Sequence, residues 1–403
     1  MKWRKLQDTV APNIPLHQRR SKSLSPGGQP GVAATSGQVI LTGSHTPPTI
    51  RMQFRKDHHL LSGYDVCGIG HALVDIQYAI DTDKLTKLGV DKGVMTLVDG
   101  DRRDVVLAGL GGTPVNQASG GSAANTMITV SCFGGSTHYA FQVGDDELGR
   151  FYRQDLEAAD VASNPAAIQP GDTGQCLVMV TPDADRTMNT FLGASATMGP
   201  HQIDTAAIGA SQYVYLEGYL LTTTDGLAAC RDAIAAAGQA QTLVSLTLSD
   251  PFVVGAFKAG FEAIIADGVD LLFCNEDEAR AYTGLDDRVD AARALARLVP
   301  RICVTLGADG ALVIDGEDDD SPQLVEGFAA DAVDTTGAGD TFAGGVLYGL
   351  THGLTLARAA VLGNYGAALV VSCFGPRPTA PLAELIEDIL ARRAPLPSAS
   401  KEQ

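Results

Sequence analysis

Leu271-Leu272-Phe273-Cys274-Asn275-Glu276-Asp277-Glu278-Ala279-Arg280-Ala281-Tyr282-Thr283 opens as an apolar run, stops at a polar residue and passes at once into an acid-rich stretch. Residues 271–273 read as a buried strand and 276–283 as a helix whose first turn favours acids through its dipole. The unit recurs on both sides: 213–216 with 226–237, 242–246 with 255–259, and a further strand at 301–305. Repeats of this length predict an α/β fold, a doubly wound, mostly parallel sheet flanked by helices. Ligands of such sheets bind beyond the carboxyl ends of the strands. Asn275 with Glu278, Glu217-Gly218-Tyr219 and Ser249-Asp250-Pro251-Phe252 all fall there.

Farther on, Thr305-Leu306-Gly307-Ala308-Asp309-Gly310 precedes a strand at 311–314 and the hairpin signal Asp315-Gly316, with Glu317-Asp318-Asp319-Asp320 as a solvated tip. Asp334-Thr335-Thr336-Gly337-Ala338-Gly339-Asp340 then leads into a small-residue helix over 341–350. Little side-chain bulk at Gly337, Ala338 and Gly339 lets an anion reach backbone N–H groups at a positive helix end. Asp340 beside them can accept a proton from an attacking hydroxyl. A helix start with an Asp cap and close-packed glycines is the plainer reading of the same residues. Helices over 356–371, carrying Asn364, and over 382–391 complete the chain.

Toward the N-terminus, Tyr64-Asp65-Val66-Cys67-Gly68-Ile69-Gly70 reads as a first strand, and Asp75 lies in an extended segment at 72–76. An acid inside an apolar strand requires a partner, and ligand hydroxyls would serve. Ser119-Gly120-Gly121-Ser122-Ala123-Ala124-Asn125-Thr126 makes a second glycine-rich junction into a helix, with uncharged donors and acceptors suited to hydroxyl groups. Strands joined by the turn signals Asp99-Gly100 and Pro182-Asp183-Ala184-Asp185 predict a small antiparallel sheet set apart from the main body, a lid within about 71–118 and 173–195.

The composition, 45% apolar and 19% charged over 403 residues, is that of a globular chain. Residues 1–60 hold nine Lys or Arg against two acids and read as a disordered basic tail; the remainder carries −25 of the net −18. Such an acidic body argues against nucleic-acid binding. No apolar run is long enough to span a membrane and no signal peptide opens the chain, so a cytoplasmic protein is expected. Seven scattered cysteines without a C-x-x-C pair read as reduced thiols.

At these residues the chain resembles the ribokinase-like family of carbohydrate and nucleoside kinases, over about residues 64–381. Gly120-Gly121-Ser122-Ala123-Ala124-Asn125 and Asp334-Thr335-Thr336-Gly337-Ala338-Gly339-Asp340 carry the resemblance, in the family's order and separation. It implies a kinase domain at 61–385, with a helix end and frayed tail at 386–403. By this likeness Asp75, Gly120, Gly121 and Asn125 hold substrate hydroxyls, Asp340 is the base, and Gly337, Ala338 and Gly339 form an anion hole. Asn275 and Glu278 match an element associated with magnesium, through water. Thr305, Gly307, Gly310 and Asn364 fall where the family lines its ATP site. ATP and Mg2+ are the implied cofactors; a monovalent cation and the choice between monomer and homodimer stay open.

The segments Gly68-Ile69-Gly70, Glu217-Gly218-Tyr219-Leu220 and Ser249-Asp250-Pro251-Phe252 look most like bacterial adenosine or sugar kinases. That implies phosphorylation of the 5′-hydroxyl of a purine nucleoside, adenosine to AMP, with Phe252 stacking on the base and Tyr219, Cys176 and Met188 beside it. A ribose or fructose kinase and an inosine or guanosine kinase are the alternatives. His71 and Thr336 depart from the pattern, each standing where Asn is usual in the family or in eukaryotic adenosine kinases. A dehydrogenase reading of Gly68-Ile69-Gly70 lacks its third glycine, since Leu73 stands there. A P-loop kinase is excluded because the chain has no Gly-Lys dipeptide. Intact Asp75 and Asp340 oppose a non-catalytic sensor.

Overall fold

The computed structural model describes residues 63–164, 167–183, 186–316 and 319–396. The expected basic tail at 1–60 and the chain beyond 396 lie outside the described residues. In chain order come β1 (Tyr64–Ile69), β2 (Leu73–Ala79), α1 (Thr82–Leu88), β3 (Met95–Leu97), α2 (Gly100–Leu110), β4 (Asn116–Gly120), α3 (Ser122–Cys132), β5 (Thr137–Ala140), β6 (Val143–Gly144), α4 (Glu147–Ala158), β7 (Val161–Ser163) and β8 (Ile168–Gln169). There follow β9 (Gly174–Val180), β10 (Arg186–Phe191), α5 (Thr205–Gly209), β11 (Ser211–Glu217), α6 (Thr224–Ala240), β12 (Leu243–Thr247), α7 (Pro251–Ala256), α8 (Lys258–Gly268), β13 (Leu271–Asn275), α9 (Glu276–Thr283) and α10 (Arg288–Ala296). The chain closes with β14 (Arg301–Thr305), β15 (Gly310–Asp315), β16 (Asp319–Glu326), α11 (Ala338–Thr351), α12 (Leu356–Val371) and α13 (Ile386–Leu390).

Nine strands form the main sheet in the order β16-β15-β14-β13-β12-β11-β1-β5-β7. The seven from β14 to β7 run parallel, and β15 and β16 add an antiparallel edge. Successive strand residues enter opposite cores: Leu272 and Ile302 pack with Ile234, Phe261 and Leu295, while Phe273 and Cys303 pack with Met127, Val346 and Leu362. Both faces are therefore covered, which is why these strands read as unbroken apolar runs. β1 sits mid-sheet between β11 and β5, so strand order reverses there. A cleft at the carboxyl ends of β1 and β11 is the place such a sheet offers a ligand.

A second sheet, β3-β10-β9-β2-β4, stands apart. It is mixed rather than antiparallel: β2 pairs parallel with β9 and β3 with β10, because the chain re-enters the sheet between β2 and β10 after building β5 to β8 elsewhere. Asp99 is also not a hairpin turn. Its carboxylate accepts from Arg102 N at 2.8 Å and caps α2, and α1 and α2 cover one face of this sheet through Leu85, Val106 and Leu110. Val74, Ile76 and Tyr78 pack in the same core, so alternation sends Asp75 to the other face.

Three further expectations change. The helix at 255–259 is two helices, α7 and α8, meeting at Phe257. The helix at 382–391 is a 3-10 turn followed by the five residues of α13. Asp319 and Asp320 belong to β16 rather than to a tip, whose residues 317 and 318 lie outside the described residues. Among the described residues no helix is long and apolar enough to cross a membrane, and the seven cysteines are free.

Candidate active site

The turn before α11 is built around a buried carboxylate. Asp334 Oδ1 accepts from Thr336 N at 3.0 Å, and Oδ2 accepts from Gly375 N at 3.0 Å and forms an ion pair with Arg186 of β10. Gly337 caps α11 at φ +75°, a conformation suited to glycine, and a Cβ there would collide with the Pro376 carbonyl. The first-turn amides of Gly339 and Asp340 have no acceptor within the helix. Apart from the neighbouring helix backbone, no described atom lies within 4 Å of the place where a Gly339 Cβ would stand, so the first turn of α11 is open on that side. The turn expected from its small residues to hold an anion thus has a rigid back wall and an open side.

Asp340 projects from this turn toward α3. Its Oδ1 accepts from Ser122 Oγ at 2.6 Å and its Oδ2 from Asn125 Nδ2 at 3.0 Å. Burial raises its pKa, and the two hydrogen bonds hold it back. Burial thus makes the ionised carboxylate more basic than one in water. Asn125, expected to meet a hydroxyl through its amide, has its NH2 committed to Asp340. Its buried Oδ1 has no hydrogen-bond partner among the described residues.

Asp75 faces the same space from β2. Among the described residues nothing donates a hydrogen bond to its carboxylate. Gly120 lies so close that any side chain there would overlap the carboxylate. Burial pushes the Asp75 pKa up to about 7, with Arg377 and Arg186 pulling it down and Asp340 and Asp334 pushing it up. Gly121, at φ +103°, turns the chain from β4 into α3, which has no side-chain cap of its own. Glu217, at the end of β11, supplies that cap from outside: Oε2 accepts from Ala123 N at 3.0 Å and Oε1 from His71 N at 3.4 Å. Burial lifts Glu217 to about 8. The His71 ring engages Ser195 through Nδ1, at 3.0 Å to Oγ, and burial lowers its pKa to about 4.

Phe252 and Tyr219 come from neighbouring strand ends. Ser249, at φ +69°, accepts from Gly218 N through Oγ at 3.0 Å and from the Tyr219 hydroxyl through its carbonyl at 3.3 Å, so the loops after β11 and β12 are stitched together. Asp250 caps α7 and fixes the Phe252 amide at 2.7 Å, presenting a ring that is 51% exposed.

Asn275 and Glu278 form a reciprocal capping box on α9: Asn275 Oδ1 accepts from Glu278 N at 2.8 Å, and Glu278 accepts from Asn275 N at 3.0 Å and Nδ2 at 2.8 Å. Burial pushes Glu278 up to about 7, with Asp250 and Asp340 adding to the shift. Among the described residues no three His, Cys, Asp or Glu converge as a metal site. With both side chains engaged, the pair fits a magnesium ion held through water rather than by direct ligation. Thr305 is opposite Asn275 in the β13–β14 ladder, and Gly307 follows it at φ +59°. Gly310 and Asn364 serve the fold: Gly310 packs on the Val325 carbonyl, and Asn364 Nδ2 donates to Val325 O at 2.9 Å and Glu326 O at 3.0 Å.

Sequence reasoning gave no role to Arg186, Arg377, Glu217 or Ser122. The arginines meet their partners across more than a hundred residues, so no local pattern marks them; Ser122 stands inside the quoted glycine motif and was legible as a donor.

A family model described as pfkB family carbohydrate kinase matches residues 108–383. An adenosine kinase of Saccharomyces cerevisiae is 27% identical over 330 residues, 76% of this chain and 95% of that protein. An ATP-dependent ribose-1-phosphate kinase of Halopiger xanaduensis is 30% identical over 288 residues, 69% of this chain and 88% of that protein. The crystal structure of adenosine kinase from Sinorhizobium meliloti superposes with a TM-score of 0.75 at 35% identity, covering 81% of this chain and 99% of that one.

Proposed function

The chain belongs to the pfkB family of carbohydrate kinases, phosphotransferases with an alcohol acceptor, and we propose that its acceptor is the 5′-hydroxyl of a purine nucleoside, adenosine being converted to AMP. The observation that carries this reading is Asp75, a carboxylate without a hydrogen-bond donor among the described residues that faces Asp340 beside the turn before α11. A carboxylate left unpaired in a cleft is a costly arrangement that ligand hydroxyls relieve. Asp75 and Asn125 Oδ1 accept from the ribose hydroxyls and fix the sugar. Asp340 then takes the proton of the hydroxyl that attacks, and the amides of Gly339 and Asp340 receive the developing charge. Magnesium ATP, when bound, supplies the phosphoryl group; Asn275, Glu278, Thr305 and Gly307 border its side of the cleft. Arg186, already at the anion turn through Asp334, is the cation placed to meet phosphate oxygens. The exposed Phe252 ring offers a face for the base, and the adenosine kinases named above support the choice of nucleoside.

A free-sugar kinase is the second reading, favoured by Thr336. ADP release with adenosine, inosine, guanosine, ribose and fructose separates the two. Preference for adenosine by kcat/KM is the expected result, and preference for ribose or fructose refutes the nucleoside assignment.

A further inference from the structure

Arg377 lies in the segment after α12 and has no part in the roles above. Its Nη1 donates to Ser119 O at 2.8 Å and to Ser119 Oγ at 2.6 Å, and its Nη2 to Asp155 Oδ2 at 2.6 Å. The same Asp155 oxygen accepts from Ser119 N at 2.8 Å and Ser119 Oγ at 2.5 Å, closing the ring. Ser119 is the residue before Gly120 and stands opposite Val74, next to Asp75, in the β2–β4 ladder. The two residues before Arg377 hold the other half of the site: Gly375 N donates to Asp334, and the Pro376 carbonyl backs Gly337.

We infer that Arg377 is a positioning residue for the transfer: its guanidinium ties the loop behind the anion turn to the strand beside Asp75, so that hydroxyl holder and anion turn keep one spacing. The inference rests on the kinase reading of the site. Three acceptors on two elements need the planar fork of an arginine, and one ammonium cannot serve them in that geometry. Arg377 is also a positive charge facing Asp75, as is Arg186 of β10; Asp340 and Asp334 oppose them, and Cys176 is the Asp75 neighbour on β9. An ionised Asp75 accepts from hydroxyls, and its neutral form does so poorly. Removing a facing cation raises the carboxylate pKa further, so the acid limb of kcat/KM must move to higher pH.

The test compares Arg377→Met, Arg377→Gln and Arg377→Lys with the wild-type chain. Met and Gln are expected to raise the nucleoside KM about tenfold or more and to shift the acid limb upward by about one pH unit. Lys keeps the charge, so its acid limb stays with the wild type while KM still rises. Arg377→Gln retains polarity and replaces Met as the reporter if the apolar variant does not fold. Profiles and KM values of Met and Gln that coincide with the wild type overturn the inference, as does full recovery of KM by Lys. Amide exchange at residues 334–340 in ligand-free protein gives a readout independent of substrate: faster exchange in Arg377→Gln supports the tie, and unchanged exchange overturns it. A wild-type chain that turns over no nucleoside refutes the parent reading and leaves exchange to decide this one.

Discussion

Replacing Asp340→Asn removes the proposed base while leaving its surroundings able to adapt. The carboxylate accepts from Ser122 Oγ and from Asn125 Nδ2, and Asn125 Oδ1 is buried without a partner among the described residues. An introduced amide keeps one acceptor for Ser122, and a half-turn of the Asn125 amide brings that idle oxygen to the new NH2. The hydrogen-bond count is conserved, so the fold should hold. Loss of a positioned base costs about 10²–10⁴ in kcat, or about 3–5 kcal/mol of barrier, with KM for ATP nearly unchanged and KM for nucleoside raised only modestly by the turned Asn125 amide. Stability should move the other way. Burial raises the folded-state pKa of Asp340 above its unfolded value, so its ionised form is a cost that grows as pH rises through the folded pKa and vanishes in acid. The variant carries no such charge and should melt at or above the wild type at alkaline pH, the gap closing toward acid pH. Steady-state ADP release and thermal melts over that range measure both signs. Near-normal kcat refutes Asp340 as the base, and a raised KM with kcat retained makes it a binding group instead.

Gly337→Ala forces a side chain into a positive φ against the Pro376 carbonyl; a loss of about 1–3 kcal/mol of stability and most activity is expected in melts and assays, and an unchanged melting temperature contradicts the wall described above. Glu278→Gln keeps an acceptor for Asn275 N but sets its own NH2 against Asn275 Nδ2, so stability should fall by about 1–3 kcal/mol while the magnesium concentration for half-maximal rate rises several-fold. A magnesium dependence identical to wild type reduces the pair to a helix cap. Phe252→Ala removes a ring that is 51% exposed, so melting should shift little, whereas KM for adenosine should rise up to about tenfold. An equal loss with ribose as substrate would show that the ring does not read the base.

Legibility followed the range of the interactions. The helix at 276–283 and the strand at 301–305 were readable to the residue because their causes are local: a capping box within three positions, and an apolar run covered on both faces. The lid was readable only in outline, since Asp99-Gly100 suits a hairpin turn and a helix N-cap equally, and only packing by Leu85, Val106 and Leu110 decides for the helix. Parallel pairing of β2 with β9 has no local signature, because the two strands meet after a long excursion through the main sheet. The site divides in the same way. Its glycines and Asp340 were visible because backbone conformation restricts residue choice at those positions. Its tuning was not: Asp75 has no hydrogen-bond donor among the described residues, and the arginines facing it are set in place by Asp334, Ser119 and Asp155, each more than a hundred residues from the cation it holds. Residues proposed for the chemistry can thus be named from short motifs in this fold, while those that set the charge and spacing of the motifs emerge only when the chain is closed around them.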